Sequence, residues 1–318
     1  MTPATTRALR RGLLVLVAGV IGAVAWSIRK PTPPPAAAPV ADSLGGANST
    51  RVGDLVFRRF KGEHEGFVLK ARGMVGQEGE DTNFEGVEVQ ISYLAQGKPG
   101  KATVTADTCR LSDSQQRAVF QGSAHVVTED GFELSSETLL YDGNKGVVKT
   151  ADPVQFTRKT LSGTATGLEY SAEDGALSLP ADVVLKIASE TGPPTDVRAD
   201  RATGSREEHE LKFEGHVRVV QGSDSLVAGR LDIDLNDELT AAYRAVAVED
   251  VELKTSGDAP LPGATGTGKA KGPRVLKARK LDLWFRDDKT LKEATASTDA
   301  ELLVLPGPGE AQEKRRVQ

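Results

Sequence analysis

"FQGSAHVVTEDG" (120–131) returns as "FEGHVRVVQG" (213–222), with an earlier echo in "FEGVEVQI" (84–91). A second pattern follows or precedes it: "VTADTCRL" (104–111), "FELSSETLLYDG" (132–143), "LSGTATGLEYSAEDG" (161–175), "TDVRADRATGS" (195–205), "LVAGRLDIDL" (226–235) and "VLKARKLDLWF" (275–285). In register, a small residue recurs at Ala106, Ser136, Ala165, Ala199, Ala228 and Ala278. Three residues later come Cys109, Leu139, Leu168, Ala202, Leu231 and Leu281. The first four steps between the small residues are 30, 29, 34 and 29. A period of that length describes one supersecondary unit used repeatedly, each copy burying its apolar face against its neighbours.

The unit is built of strands. Leu231, Ile233 and Leu235 alternate with Arg230, Asp232 and Asp234, and Phe213, Val217 and Val219 with Glu214, His216 and Arg218. A period of two gives each strand a wet face and a dry one. Turn-forming residues stand between the strands at Glu129-Asp130-Gly131, Asp142-Gly143-Asn144, Glu173-Asp174-Gly175, Asn236-Asp237 and Asp287-Asp288. The expected fold is therefore all-β, a long antiparallel meander of strands of ordinary length.

The 318 residues are 38% hydrophobic with a net charge of −5, which suits a mildly acidic globular protein. A pI near 5.6 and 5% aromatics argue against nucleic-acid binding, which calls for a basic face and stacking platforms. Residues 12–28, "GLLVLVAGVIGAVAWSI", are uncharged and apolar, with Arg7, Arg10 and Arg11 before them and Arg29 and Lys30 behind. Seventeen residues reach the lower limit for a transmembrane helix, and the leading arginines favour a cytoplasmic N-terminus (1–11) with an exported body. The alternative is a signal peptide cleaved after Ala25 of "AVA" (23–25). Residues 29–50, rich in proline and alanine, read as a spacer. Strands are expected over 51–190 and 195–305, with "ETGPPT" (190–195) as a seam, a long loop at 255–274 and a disordered tail at 306–318.

Signals for catalysis are thin. "GATGTGKA" (263–270) matches seven positions of a phosphate-binding loop, but Ala270 stands where a magnesium-binding hydroxyl is needed and no strand–helix context flanks it. His64, His125, His209 and His216 lack metal-ligand spacing, and His125 and His216 sit at similar strand positions. Cys109 falls inside the strand repeat and reads as a buried small residue. No cofactor or metal is expected, and no enzyme activity. If the meander forms two facing sheets that do not close, the dry faces make a trough for an elongated apolar ligand, and the edges can add a strand from another protein.

The order of apolar N-terminal segment, proline-rich spacer and strand repeats resembles the lipopolysaccharide-export family LptC, and the repeats are similar to its soluble relatives LptA and OstA. The most specific stretch is "FELSSETLLYDGNKGVVKTADPVQF" (132–156), followed by "GTATGLEYSAEDGALSL" (163–179). The resemblance covers 52–190; residues 195–305 carry the same repeat as an extension or a second, LptA-like unit. It implies an open antiparallel β-jellyroll of two facing sheets in the periplasm, after a single-pass inner-membrane helix. It further implies a carrier that receives lipopolysaccharide from an inner-membrane ABC transporter and passes it to an LptA-like jellyroll docked edge to edge. The lipid-facing candidates are Phe132, Leu134, Leu139, Tyr141, Val154, Phe156, Leu168, Tyr170, Leu177 and Leu179, although both faces of "FELSSETLLYD" hold apolar groups. Two other readings remain: a tethered structural or adhesive repeat protein without a lipid ligand, and a β-helix enzyme acting on polysaccharide.

Overall fold

The computed structural model describes residues 55–304, apart from 62–63, 79–80, 96–97, 113–116, 130, 172–173, 190–191, 238–241, 257–272 and 287–290, together with 315–317. The apolar segment at 12–28, the spacer at 29–50 and the loop motif at 263–270 lie outside the described residues. Among the described residues no helix is long and apolar enough to cross a membrane.

Among the described residues every element is a strand, and the strands whose register is defined pair antiparallel, as the period-two pattern leads one to expect. The strands are β1 Leu55–Lys61, β2 His64–Glu78, β3 Asp81–Ala95, β4 Lys98–Leu111, β5 Arg117–Thr128, β6 Phe132–Asp142, β7 Val147–Arg158, β8 Leu161–Ser171, β9 Ala176–Leu179 and β10 Ala181–Ile187. They continue as β11 Thr195–Ala199, β12 Arg201–Ser205, β13 Glu210–Gln221, β14 Asp224–Leu235, β15 Ala242–Thr255, β16 Arg274–Phe285, β17 Leu291–Ser297, β18 Glu301–Val304 and β19 Arg315–Val317. Two compact units emerge. The first runs through Asp152; the second holds Pro153–Tyr170 and Asp174 onward.

Many of these strands are longer than the ordinary strand, up to 15 residues in β2 and β3. The reason is that each is two short strands joined at a crease. In β14 the buried positions run Leu226, Ala228 and then Leu231, Ile233, Leu235, so the alternation slips by one residue between Ala228 and Leu231. The same three-residue step separates Phe84 from Val87, Ser136 from Leu139 and Ala278 from Leu281. Neighbouring strands take a four-residue step instead: Phe120 to Ala124, Phe213 to Val217 and Ala247 to Val251. The extra residue is a β-bulge, visible as register shifts at Gln121/Ala124, Glu214/Val217 and Val248/Val251. Along the second unit the crease cuts right through two strands, leaving β9 and β10 on either side of Pro180 and β11 and β12 on either side of Asp200.

The crease sorts the ladder into two half-sheets. In the second unit β11 pairs with the Arg218–Gln221 half of β13, whereas β12 pairs with the Glu210–Glu214 half. Likewise β16 gives its Arg274–Lys277 end to β18 and its Lys280–Phe285 end to β17. Slipping the alternation at the crease keeps the apolar face inward on both halves, and without it one half would turn its apolar residues to water. The inward residues are deeply covered, with Leu69, Val89, Ile233 and Val217 at 0% exposure. With no helix among the described residues to cover this face, the meander covers it by bending at its own crease, an arrangement consistent with a β-jellyroll.

Bulge geometry explains the recurring glycines. Gly122-Ser123 and Gly215-His216 both place two successive residues at positive φ, as do Glu249-Asp250 and Thr298-Asp299. At Gly215 (φ 75°) a Cβ would stand 2.2 Å from Asp200 Oδ2, and Asp200 donates its backbone N–H to the Gly215 carbonyl at 2.9 Å. The site needs glycine for both reasons.

Two expectations change. The stretch expected as a disordered tail (306–318) contributes Arg315–Val317 as β19, which pairs with Leu302–Val304 and so occupies backbone groups that the edge of β18 would otherwise present. His125 and His216 are not equivalent: counted from the bulge glycine, His216 follows Gly215 directly, whereas His125 lies three residues after Gly122. Only His216 adopts positive φ, and its Nδ1 lies 2.8 Å from Asp200 Oδ2, while His125 Nδ1 meets Ser135 Oγ at 2.9 Å.

Wet faces carry ion pairs. Arg244 donates through Nη2 and Nε to Asp282 at 2.6 and 3.0 Å, and Lys254 and Lys277 hold Glu252 at 2.6 and 3.1 Å. The Arg244 hydrogen bonds pull the Asp282 carboxyl below its usual range, and the lysines do the same for Glu252.

Two measurements check this account. Gly215→Ala is expected to cost about 1–3 kcal/mol in urea unfolding, because left-handed backbone strain adds to the clash with Asp200. Gly131→Ala, at φ 80° with nothing within 4 Å of the new Cβ, is expected to cost only about 1 kcal/mol; equal costs would mean the close approach does not constrain the crease. Because a carboxylate with a depressed folded pKa stabilises above its unfolded pKa of about 4 and loses that stability as pH falls, Asp282→Asn should be less stable than the parent at pH 7 and lose less on acidification toward pH ~3. Parallel acid curves for the two proteins would contradict the pairing.

Candidate functional site

The dry face is the surface that the sequence repeat constructs, and its members sit at fixed places in the ladder. Leu134 is buried at 3% and pairs with Val126, and Leu139, at 2%, pairs with Phe120. These two lie five residues apart on β6, an odd spacing that would put them on opposite faces of an uninterrupted strand. The crease between Ser136 and Leu139 brings both inward, which accounts for the apolar groups on both apparent faces of "FELSSETLLYD". Phe132 and Tyr141, at the two ends of β6, are half-buried. Phe132 donates its backbone N–H to Thr128 Oγ1 at 3.1 Å, and Tyr141 pairs with Ala118. Together these four belong to the first unit.

The other six candidates belong to the second. Val154 and Phe156 are buried and alternate with exposed Gln155 on β7. Phe156 fills the room left by Gly163: a Cβ on that glycine would stand 2.4 Å from the Phe156 ring and 2.8 Å from Leu185 Cδ2. Leu168 on β8 is buried at 4% and Leu179 on β9 at 2%, the latter paired with Ala202. Leu177 is half-buried opposite Gly204, and half-buried Tyr170 accepts from Arg206 Nη2 at 3.4 Å. The ten candidates thus divide four and six between two units. Six of them are core-deep, and four stand half-open.

The same face extends beyond the ten. Phe84, Val87, Phe120 and Val126 continue it in the first unit, and Phe213, Leu226, Leu231, Ile233, Leu281 and Leu283 in the second, all at 9% exposure or less. Their signal was already in the sequence, since Leu231, Ile233 and Leu235 alternate with polar residues there. Cys109 is one more member of the face, buried at 1%, and burial pushes its thiol up to about 12, so it stays protonated at neutral pH.

Few polar groups interrupt this face. Ser136, Thr195, Gln221 and Thr255 are buried near strand ends or the crease, and Gln221 donates through Nε2 to the Pro193 carbonyl at 3.3 Å. Asp224 accepts from the Ser256 backbone N–H at 2.8 Å, closing the end of the β14–β15 pair. Among the described residues no group of three or more His, Cys, Asp or Glu could hold a metal ion. What the arrangement offers chemically is contact area, mostly apolar along each unit, with Arg158 buried in step with Val154 and Phe156 on β7.

Comparison with known proteins places each segment. Residues 64–184 match the family model "Lipopolysaccharide-assembly, LptC-related", and residues 196–301 match "LptA/(LptD N-terminal domain) LPS transport protein". No curated protein matches the chain. Among solved structures, LptH, the LptA homologous periplasmic component of the lipopolysaccharide transport device from Pseudomonas aeruginosa, aligns over 55% of this chain and 92% of its own. The identity is 15% and the TM-score 0.23. Residues 64–184 are therefore an LptC-related segment, and residues 196–301 carry repeats of the LptA/LptD N-terminal type.

Proposed function

We propose that this protein is a periplasmic carrier that holds the acyl chains of lipopolysaccharide against the dry faces of an open β-jellyroll. In this reading residues 12–28 anchor it in the inner membrane and 29–50 hold its body away from the bilayer. It takes the lipid from an inner-membrane ABC transporter and hands it to an LptA-like jellyroll paired along a sheet edge. The LptC-like segment (51–190) receives the lipid and the LptA-like repeats (195–305) pass it on. The work is binding and transfer, without bond chemistry. Energy comes from the transporter.

One observation carries this reading: a largely apolar face runs along each unit, on both sides of the crease, in segments matched by two lipopolysaccharide-transport family models. Each buried CH₂ of an acyl chain contributes about 0.8 kcal/mol, so a single chain of a dozen carbons offers ample driving force. The same face is well packed in the structure, with Leu139 and Leu168 at 2% and 4% exposure, so the lipid enters only if the half-sheets part. Half-buried Phe132, Tyr141, Tyr170 and Leu177 mark where that parting begins at least cost. The close packing equally suits a structural repeat protein with no ligand, and that is the reading the test must separate.

Photo-crosslinking in cells separates them. A photoreactive residue at Phe156, Leu168 or Tyr141 is expected to form lipopolysaccharide adducts, and one at Arg230, on the wet face of β14, is expected to form none. Absence of adducts at all dry positions in a well-expressed, folded protein would leave the structural reading in place.

A further inference from the structure

On the wet face of the second unit one cluster stands apart from the ion-pair ladder. Tyr243 and Trp284 are large hydrophobic side chains left exposed, at 46% and 37%, and their ring centroids lie 6.2 Å apart at an interplanar angle of 43°. The guanidinium of Arg244 lies over the Trp284 ring, 4.9 Å from its centroid. Arg244 is in turn fixed by the bidentate contact to Asp282 and by Asp234 at 3.8 Å.

Strand geometry puts these groups together by a local departure from the alternation. The pairing of β14 with β15 slips between Asp234 and Leu235, so that Asp234 faces Arg244 but Leu235 faces Ala242, and Tyr243 is the extra residue. Tyr243 therefore lies outside alongside Arg244 instead of turning into the core, where Ala242 and Ala245 are buried. A second slip, between Trp284 and Phe285 against β17, flanks the other side. A bulge re-aims a side chain at the expense of a ladder hydrogen bond. Here two bulges flank the same pair of rings, which lie on the solvent side where burial contributes nothing to the core.

We propose that Tyr243, Trp284 and Arg244 form a binding platform for the ring of a neutral saccharide. A pyranose presents a flat face of C–H groups, which suits the electron-rich face of an aromatic ring, and a rim of hydroxyls. Asp282 and Asp234 supply carboxylate oxygens as acceptors for those hydroxyls, and Arg244 holds both acids in place. Charge decides against other ligands. The guanidiniums here are already engaged, Arg244 by Asp282 and Arg230 by Asp232, and Lys280 on β16 is offset by Asp234 and by Glu293 on β17, so the platform has no excess of positive charge to draw a phosphate or an anionic membrane surface. Burial pushes the Asp234 carboxyl above its usual range, with Glu210, Asp232 and Asp282 adding to the effect and Arg244 opposing it, as expected of acids gathered at one end of the face. The platform lies on the opposite face from the proposed lipid surface and does not depend on it.

Tryptophan fluorescence tests the platform in the full chain, reconstituted in nanodiscs. Replacing Trp26, the other tryptophan, by Phe leaves Trp284 as the reporter. Tetramers of glucose and of N-acetylglucosamine, and lipopolysaccharides with complete and with truncated core sugars, serve as probes. The platform predicts a saturable change in Trp284 emission at or below about 1 mM saccharide and at least about tenfold weaker binding in Tyr243→Ala. Trp284→Ala, followed by calorimetry, should likewise bind at least about tenfold more weakly than the parent. A response to the free tetramers points to glycan chains as the source. A response to complete-core but not truncated-core lipopolysaccharide points to the sugars of the glycolipid. No saturable change with any probe, or equal changes with both lipopolysaccharides and none with the tetramers, overturns the proposal, as does unaltered binding in a folded Tyr243→Ala.

Discussion

Everything in this fold depends on keeping one face dry through a bend. A β-strand turns successive side chains to opposite faces, so a strand that leaves one half-sheet and enters another must either slip its alternation or present its apolar residues to water. Some strands slip it with a three-residue step, their neighbours keep its parity across a four-residue step, and the one-residue difference is absorbed as a bulge. Backbone strain is the consequence. Ser123, His216, Glu249, Asp250, Thr298 and Asp299 all sit at positive φ, a conformation that costs a residue with a side chain about 1–3 kcal/mol, and the deeply buried rows on either side offset it.

Much of this was legible in the residues. The clean alternation from Arg230 to Leu235 and the turn signals at Gly131 and Gly175 are read directly as strands and hairpins. The small residue that recurs at steps of 30, 29, 34 and 29 was legible too, yet its meaning was not. The structure shows Ser136, Ala165 and Ala228, and the apolar residue three places on, lying on the two sides of the crease, which a pure period-two reading cannot express. The inward set of β6 was ambiguous for the same reason, because Leu134 and Leu139 share a face only once the slip is known. The Tyr243 bulge left no recognisable trace in "AAYRAVAVED", since its register is set by the partner strand β14. Strand β19 was missed because "RRV" has little apolar mass and owes its place to the edge of β18.

The crease also connects the fold to function. A sandwich sewn shut by crossing side-chain networks would resist opening, whereas the proposed function asks two half-sheets with a largely apolar inner face to part along the crease and close again on an acyl chain. The matches of the two segments to lipopolysaccharide-transport family models and this inner face support the same reading, transport of a lipid. The wet face carries the charges that keep such a protein in solution, including the Arg244–Asp282 and Lys254–Glu252–Lys277 groups.

Amide hydrogen exchange of the full chain in nanodiscs, with and without lipopolysaccharide added, tests the central claim most directly. If the half-sheets part to take up acyl chains, lipid changes the exchange of amides flanking the crease, around Ser136–Leu139 on β6 and Ala228–Leu231 on β14, while the outer ends of the same strands exchange as before. Unchanged exchange along the crease at lipid concentrations that occupy the protein would mean that the dry faces stay closed and that the lipid, if bound, is held elsewhere.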